Sequence, residues 1–114
     1  MPHFVIDCSE DILQFQEEDY ILEQVHNIAS STKLFDEGDI KVRLNPFKKY
    51  LVGNKQENFI HVFADIMEGR TTKQKADLSR KVVNRLADLF PDVLNIAMNV
   101  RDFEKATYCN KTML

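Results

Sequence analysis

The chain has 114 residues, a formal net charge of −3, and 44% hydrophobic against 29% charged residues. That is the length of a single domain, 1–114, with enough apolar material for its own core. Acids and bases are mixed along it, so the charge gives no reason to expect nucleic acid or an anionic membrane as partner. No stretch approaches the roughly 20 apolar residues of a membrane span. The amino terminus lacks the basic and long apolar regions of a secretory signal. The only cysteines are Cys8 and Cys109, too few for a disulfide framework, so free thiols in a reducing, cytoplasmic setting are expected. His3, His26 and His61 show no metal-ligand spacing with them, and no metal site is expected.

Residues 2–8, PHFVIDC, read as the first strand. Its leading Pro2 has two explanations. Proline is tolerated at the first position of a strand. Alternatively, if Met1 is removed, Pro2 becomes a free secondary amine held rigidly at a strand end. Residues 17–32 carry Ile21, Leu22, Val25, Ile28 and Ala29 at helical spacing. Residues 39–45 alternate strictly, with Ile40, Val42 and Leu44 on one face and Lys41, Arg43 and Asn45 on the other. Residues 46–57 contain Pro46 and Gly53-Asn54 and read as a loop or short hairpin.

Residues 58–66, NFIHVFADI, form the longest strand pattern. Thr71 followed by Gln74 fits a capping box. The helix it opens runs to about Phe90, with Ala76, Ser79, Val82, Val83, Leu86, Leu89 and Phe90 on its apolar face, and Pro91 stops it. Residues 94–101 read as a fourth strand, and the remainder has no clear period. The order is therefore β-α-β twice. Phe4-Val5-Ile6 matches Phe59-Ile60-His61, and Asp39-Ile40 with Phe47 matches Asn95-Ile96 with Phe103, at nearly equal offsets. Matching offsets at both ends predict a duplicated unit. Two crossover helices cover one face of a four-stranded sheet. The strands around 4–6 and 59–66 read as apolar on both faces, which calls for an oligomer to cover the second.

Three groups of residues are candidates for chemistry. Burial and nearby cations would lower the pKa of a Pro2 amine toward neutrality, where a general base works best. Arg70 follows the third strand and precedes the second helix, where an arginine can clamp a carboxylate, or can be merely an exposed loop charge. Lys41 and Arg43 form either a solvated strand face or a cationic wall.

Pro2 opening the first strand, two βαβ units and Arg70 at the β3–α2 junction together resemble the tautomerase superfamily. Pro2-His3-Phe4-Val5-Ile6-Asp7-Cys8-Ser9, Ile40-Lys41-Val42-Arg43 and the segment from Phe59 to Arg70 are similar to the 5-carboxymethyl-2-hydroxymuconate isomerases. The resemblance implies an α+β fold of the macrophage-migration-inhibitory-factor type, a four-stranded mixed sheet with both helices on one face, assembled as a homotrimer. It implies ketonisation of a small carboxylated enol, without metal or cofactor, as in bacterial homoprotocatechuate degradation. Pro2 would be the base and Arg70 a second catalytic group. Lys41 or Arg43 would hold another acid group of the substrate. Phe47 and Tyr50 would be apolar walls. Lys41 departs from the arginines of that strand, offering a point charge in place of a fork. A non-catalytic trimeric binding protein of the same fold, or a tautomerase acting on a different acid, are the alternatives.

Overall fold

The computed structural model describes residues 1–114. Four strands and two helices follow the expected order: β1 (His3–Ser9), α1 (Glu18–Ser31), β2 (Lys41–Phe47), β3 (Phe59–Met67), α2 (Thr72–Leu89) and β4 (Asn95–Phe103). The sheet order is β2-β1-β3-β4. β1 runs parallel to β2 and β3 parallel to β4, while the central pair β1/β3 is antiparallel. Each helix is thus the crossover of one parallel pair, and the two βαβ halves meet along the antiparallel seam. His3 lies opposite Lys41 in one half and Phe59 opposite Asn95 in the other.

Both helices lie on one side and touch each other, Arg85 Nε donating to Gln24 Oε1 at 2.7 Å. Beneath them is the core. β1 contributes Phe4, Ile6 and Cys8, β3 contributes Ile60, Val62 and Ala64, and α1 contributes Ile21, Val25 and Ala29. The alternation of β1 and β3 sends these residues to one face, as a period of two requires. On α2 the buried residues are Leu78, Val82 and Leu86. Ala76, expected on the apolar face, is exposed, and Leu78 occupies the core instead. The large side chain two positions on sets the helix's rotation, because it removes more apolar area from water.

The opposite face of the sheet is not apolar, which corrects the expectation from sequence. Phe59, Phe63 and Val5 are half-buried there, among His3, Asp7, His61 and Asp65. These polar groups pair across strands. Asn45 Nδ2 donates to Asp7 at 3.1 Å, His61 Nε2 and Asn99 Oδ1 are 2.6 Å apart, and Arg101 makes a bidentate pair with Asp65 at 2.8 and 3.2 Å.

Two local features match their residue chemistry. Gly53 and Asn54 both take positive φ (54° and 65°), closing a hairpin with a Val52–Lys55 bridge. β2 continues through Pro46 to Phe47, past the point where proline predicted its end. It is an edge strand, where proline is tolerated.

Candidate active site

Topology collects three of the predicted residues at one corner. The antiparallel seam places the carboxyl end of β3 beside the amino end of β1, so Arg70 comes next to Pro2. The parallel β1/β2 pair places the start of β2 there as well: the Lys41 N–H donates to the Pro2 carbonyl at 3.1 Å. Pro2 is buried. A cavity of about 210 Å³ opens beside it, with Met1, Pro2, Leu34, Phe35, Asp39 and Arg70 in its wall.

Arg70 is held firmly. The turn after β3 uses Gly69 at φ 123°, a conformation open to glycine and strained for other residues. Its guanidinium donates through Nη2 to the Leu34 carbonyl at 2.6 Å and through Nη1 to the Met67 carbonyl at 3.3 Å. It also sits over the Phe35 ring, 5.1 Å from the centroid, a cation–π contact. Phe35 in turn meets Phe4 edge-on at 6.0 Å, which ties the arginine to the core. A guanidinium has five N–H donors, so the donors not spent on these carbonyls remain for an anion in the cavity. The capping box that starts α2 immediately afterwards is complete. Thr71 Oγ1 accepts from the Gln74 N–H at 3.1 Å, and Gln74 Oε1 accepts from the Thr71 N–H at 2.8 Å.

The electrostatics of the corner act on an amine. The terminal amine of Met1 is held below the ordinary α-amine pKa, mainly by burial. Asp39 opposes that shift, and Lys41 and Arg70 reinforce it. Lys41 is half-buried, its ammonium donating to the Asp39 carbonyl at 3.0 Å. Arg43 lies farther along the other sheet face, its Nη1 3.1 Å from His3 Nδ1.

Phe47 and Tyr50 are not at this corner of the chain. Phe47 is opposite Ser9 at the other end of β1, about 20 Å away at ~3.3 Å per strand residue. There Phe47 and Tyr50 flank Phe59, with ring centroids 6.4 and 5.1 Å from it. Tyr50 and Phe59 border an open groove of about 450 Å³ with Leu51, Leu94 and Ile96. That groove is larger than the Pro2 cavity; its titratable groups are Tyr50 and His61, the latter paired with Asn99 at 2.6 Å, and no arginine or lysine borders it. Phe35 and Asp39 belong to the corner and were not singled out from sequence. Phe35 lies in the connection between α1 and β2, where no periodicity marks a residue as inward-facing; Asp39, which the alternating pattern places in the second strand, sits in a short 3-10 turn before it.

A four-stranded mixed sheet backed by two helices, built from two βαβ halves, is the tautomerase class of fold. The family model for 5-carboxymethyl-2-hydroxymuconate isomerase matches residues 2–113, and the chain belongs to that family, an isomerase family of the tautomerase superfamily. No curated protein sequence matches the chain. Among solved structures, a 5-carboxymethyl-2-hydroxymuconate isomerase from Deinococcus radiodurans R1 superposes with a TM-score of 0.84 at 18% identity, over 96% of this chain and 88% of that one. A fused 4-OT protein described as a symmetric trimer gives 0.82 at 13% identity, covering 96% and 94%. A macrophage migration inhibitory factor-like protein from Entamoeba histolytica gives 0.75 at 17% identity, covering 96% and 95%. At these identities the likeness speaks to the fold, which is the one expected from the sequence.

Proposed function

We propose that this isomerase ketonises a 2-hydroxydienoate carrying more than one carboxylate, of the 5-carboxymethyl-2-hydroxymuconate kind, with the Pro2 nitrogen as general base. The observation that carries the reading is the corner itself. Buried Pro2 faces a cavity bordered by a fixed arginine, and the Met1 terminal amine beside it is held below its ordinary pKa.

Removal of Met1 exposes the Pro2 nitrogen as a secondary amine, while the ring fixes φ near −65°. Its lone pair takes the enol hydroxyl proton. The C2–O bond becomes a carbonyl, the diene electrons shift one bond along, and the nitrogen returns the proton to the far carbon of the diene. Substrate and product have the same atoms, so the step balances without a redox partner. Arg70 stabilises charge on a carboxylate or the 2-oxo oxygen, in the manner of an oxyanion hole. Lys41 or Arg43 holds a second acid group.

The chain acts as a homotrimer in the cytoplasm. In that assembly the mixed face of the sheet meets other copies. A head-to-tail ring brings the Phe47 and Tyr50 end of one subunit toward the Pro2 corner of the next, where those rings serve as apolar walls. The reading is tested by comparing ketonisation of 2-hydroxymuconate by the processed chain, a Met1-retained chain and Pro2→Ala. The Met1-retained chain should be nearly inactive, since an amide nitrogen has no basic lone pair. Pro2→Ala should keep a remnant through its primary amine. Full activity with Met1 retained would refute the proline base.

A further inference from the structure

Arg43 is opposite Val5 in the β1/β2 register, yet its guanidinium bonds to His3, two residues nearer Pro2. That contact sets the guanidinium beside the residue that follows Pro2, just outside the wall of the Pro2 cavity. An arginine always donates, so the Nδ1 atom that receives it bears a lone pair, and a neutral His3 carries its proton on Nε2. The imidazole plane is set by Phe103, which meets it edge-on at 6.0 Å and is itself packed against Tyr108 at 6.0 Å.

Arg43 has no carboxylate partner. The acid opposite His3 is Asp65, and Arg101 holds it with two hydrogen bonds. Asp7, farther along the same face, accepts from Asn45. We infer that His3 is a positioning residue for Arg43, holding the guanidinium toward the Pro2 corner without neutralising it, so that its whole charge serves the substrate's second carboxylate. This inference rests on the isomerase reading above and chooses Arg43 over Lys41 for that role. A carboxylate in place of His3 would orient Arg43 equally well but would compete with the substrate.

The surroundings favour the neutral imidazole over the imidazolium. Burial pushes the His3 pKa below its ordinary value, and Arg43, Lys41 and the terminal amine lower it further; Asp65 alone opposes them. The charged groups facing His3 are thus Lys41 and Arg43 from β2, Asp65 from β3 with its partner Arg101 from β4, and the chain terminus.

The test compares His3→Phe, His3→Asn, Arg43→Ala and the His3→Phe/Arg43→Ala double variant on two enols. One is 2-hydroxymuconate, with two carboxylates, and the other is 2-hydroxypenta-2,4-dienoate, with one. His3→Phe keeps the ring contact with Phe103 but removes the acceptor. It should raise KM for the dicarboxylate by about 5- to 10-fold with little change in kcat, the effect being confined to that substrate. His3→Asn, whose amide oxygen can replace Nδ1, should restore KM. The double variant should be no worse than Arg43→Ala, because both remove one function. Imidazole titration by NMR gives a readout without turnover: Arg43→Ala should raise the His3 pKa. Multiplying effects in the double variant, a His3→Asn chain as impaired as His3→Phe, or a His3 titration indifferent to Arg43 would each overturn the inference. A wild-type chain that ketonises neither enol would instead refute the isomerase reading.

Discussion

Arg70 and Leu34 are joined by a 2.6 Å hydrogen bond from guanidinium to backbone carbonyl. It ties the turn between β3 and α2 to the segment that follows α1, two pieces of chain from different βαβ halves. The residue read from sequence as a loop charge or a clamp is therefore half-buried and structural, and it borders the Pro2 cavity. Arg70→Ala should lose activity and stability together. Hydrogen bonds from a charged group are worth about 1.5–3 kcal/mol each at most, so a loss of roughly 1–3 kcal/mol is expected in urea denaturation. Loss of its donors to the transition state should lower kcat/KM by about 30- to 1,000-fold. Unchanged kinetics in a chain that is only less stable would leave Arg70 as a structural tie.

The capping box at Thr71 is a separate contribution to the same corner. Thr71→Ala removes the acceptor for the Gln74 N–H and should destabilise the chain by about 1 kcal/mol. Denaturation midpoints of Thr71→Ala and Thr71→Ser decide it. The serine variant keeps an acceptor and should lie close to wild type, and an equal loss in both would mean that the methyl group, not the cap, matters.

The fold was legible where local rules act alone. Strict alternation gave β2 its faces, helical spacing gave α1 its buried residues, and the Thr71/Gln74 pair marked the start of α2. What escaped the sequence depends on partners distant in the chain. Nothing near Asp65 in the chain marks Arg101 as its partner, which the β3/β4 register places across from it. Phe35 and Asp39 are remote from Pro2 in sequence and reach it only because the strands pair as they do. Phe47 and Tyr50 share a stretch with nothing to show which end of the sheet it occupies. Register settles that, and register is a long-range property.

The rotation of α2 gives a prediction that separates spacing from packing. Leu78 is fully buried, while Ala76 is exposed. Leu78→Ala should cost about 2–5 kcal/mol through lost burial and the cavity left behind. Ala76→Gln should change stability by less than about 0.5 kcal/mol, as exposed substitutions do. Thermal denaturation of the two variants checks the pair, and a large loss at Ala76 would mean that this position also packs inward with the Val82, Leu86 and Phe90 face.

The last prediction concerns the pH dependence of the base. The Met1 terminal amine at this corner is held below the ordinary α-amine pKa, mainly by burial, with Lys41 and Arg70 adding to the effect and Asp39 opposing it. The Pro2 amine that removal of Met1 would expose lies among the same groups and should respond to them in the same direction. The proposed reaction requires the neutral amine, so kcat/KM should rise with pH through the amine's lowered pKa and then level off. Removing a cation lets the amine hold its proton more tightly. Lys41→Ala should therefore raise that pKa and move the acid limb of the profile to higher pH. Asp39→Asn removes the opposing charge and should move the limb to lower pH. The two shifts have opposite signs, which separates them from any general damage to the site. Because kcat/KM reports groups on the free enzyme, a loss of substrate affinity in Lys41→Ala lowers the plateau without moving the limb. Profiles measured on chains whose intact mass shows removal of Met1 make the comparison. Limbs that stay fixed, or that move the same way in both variants, would mean that the group titrating in the profile is not the amine at the head of β1.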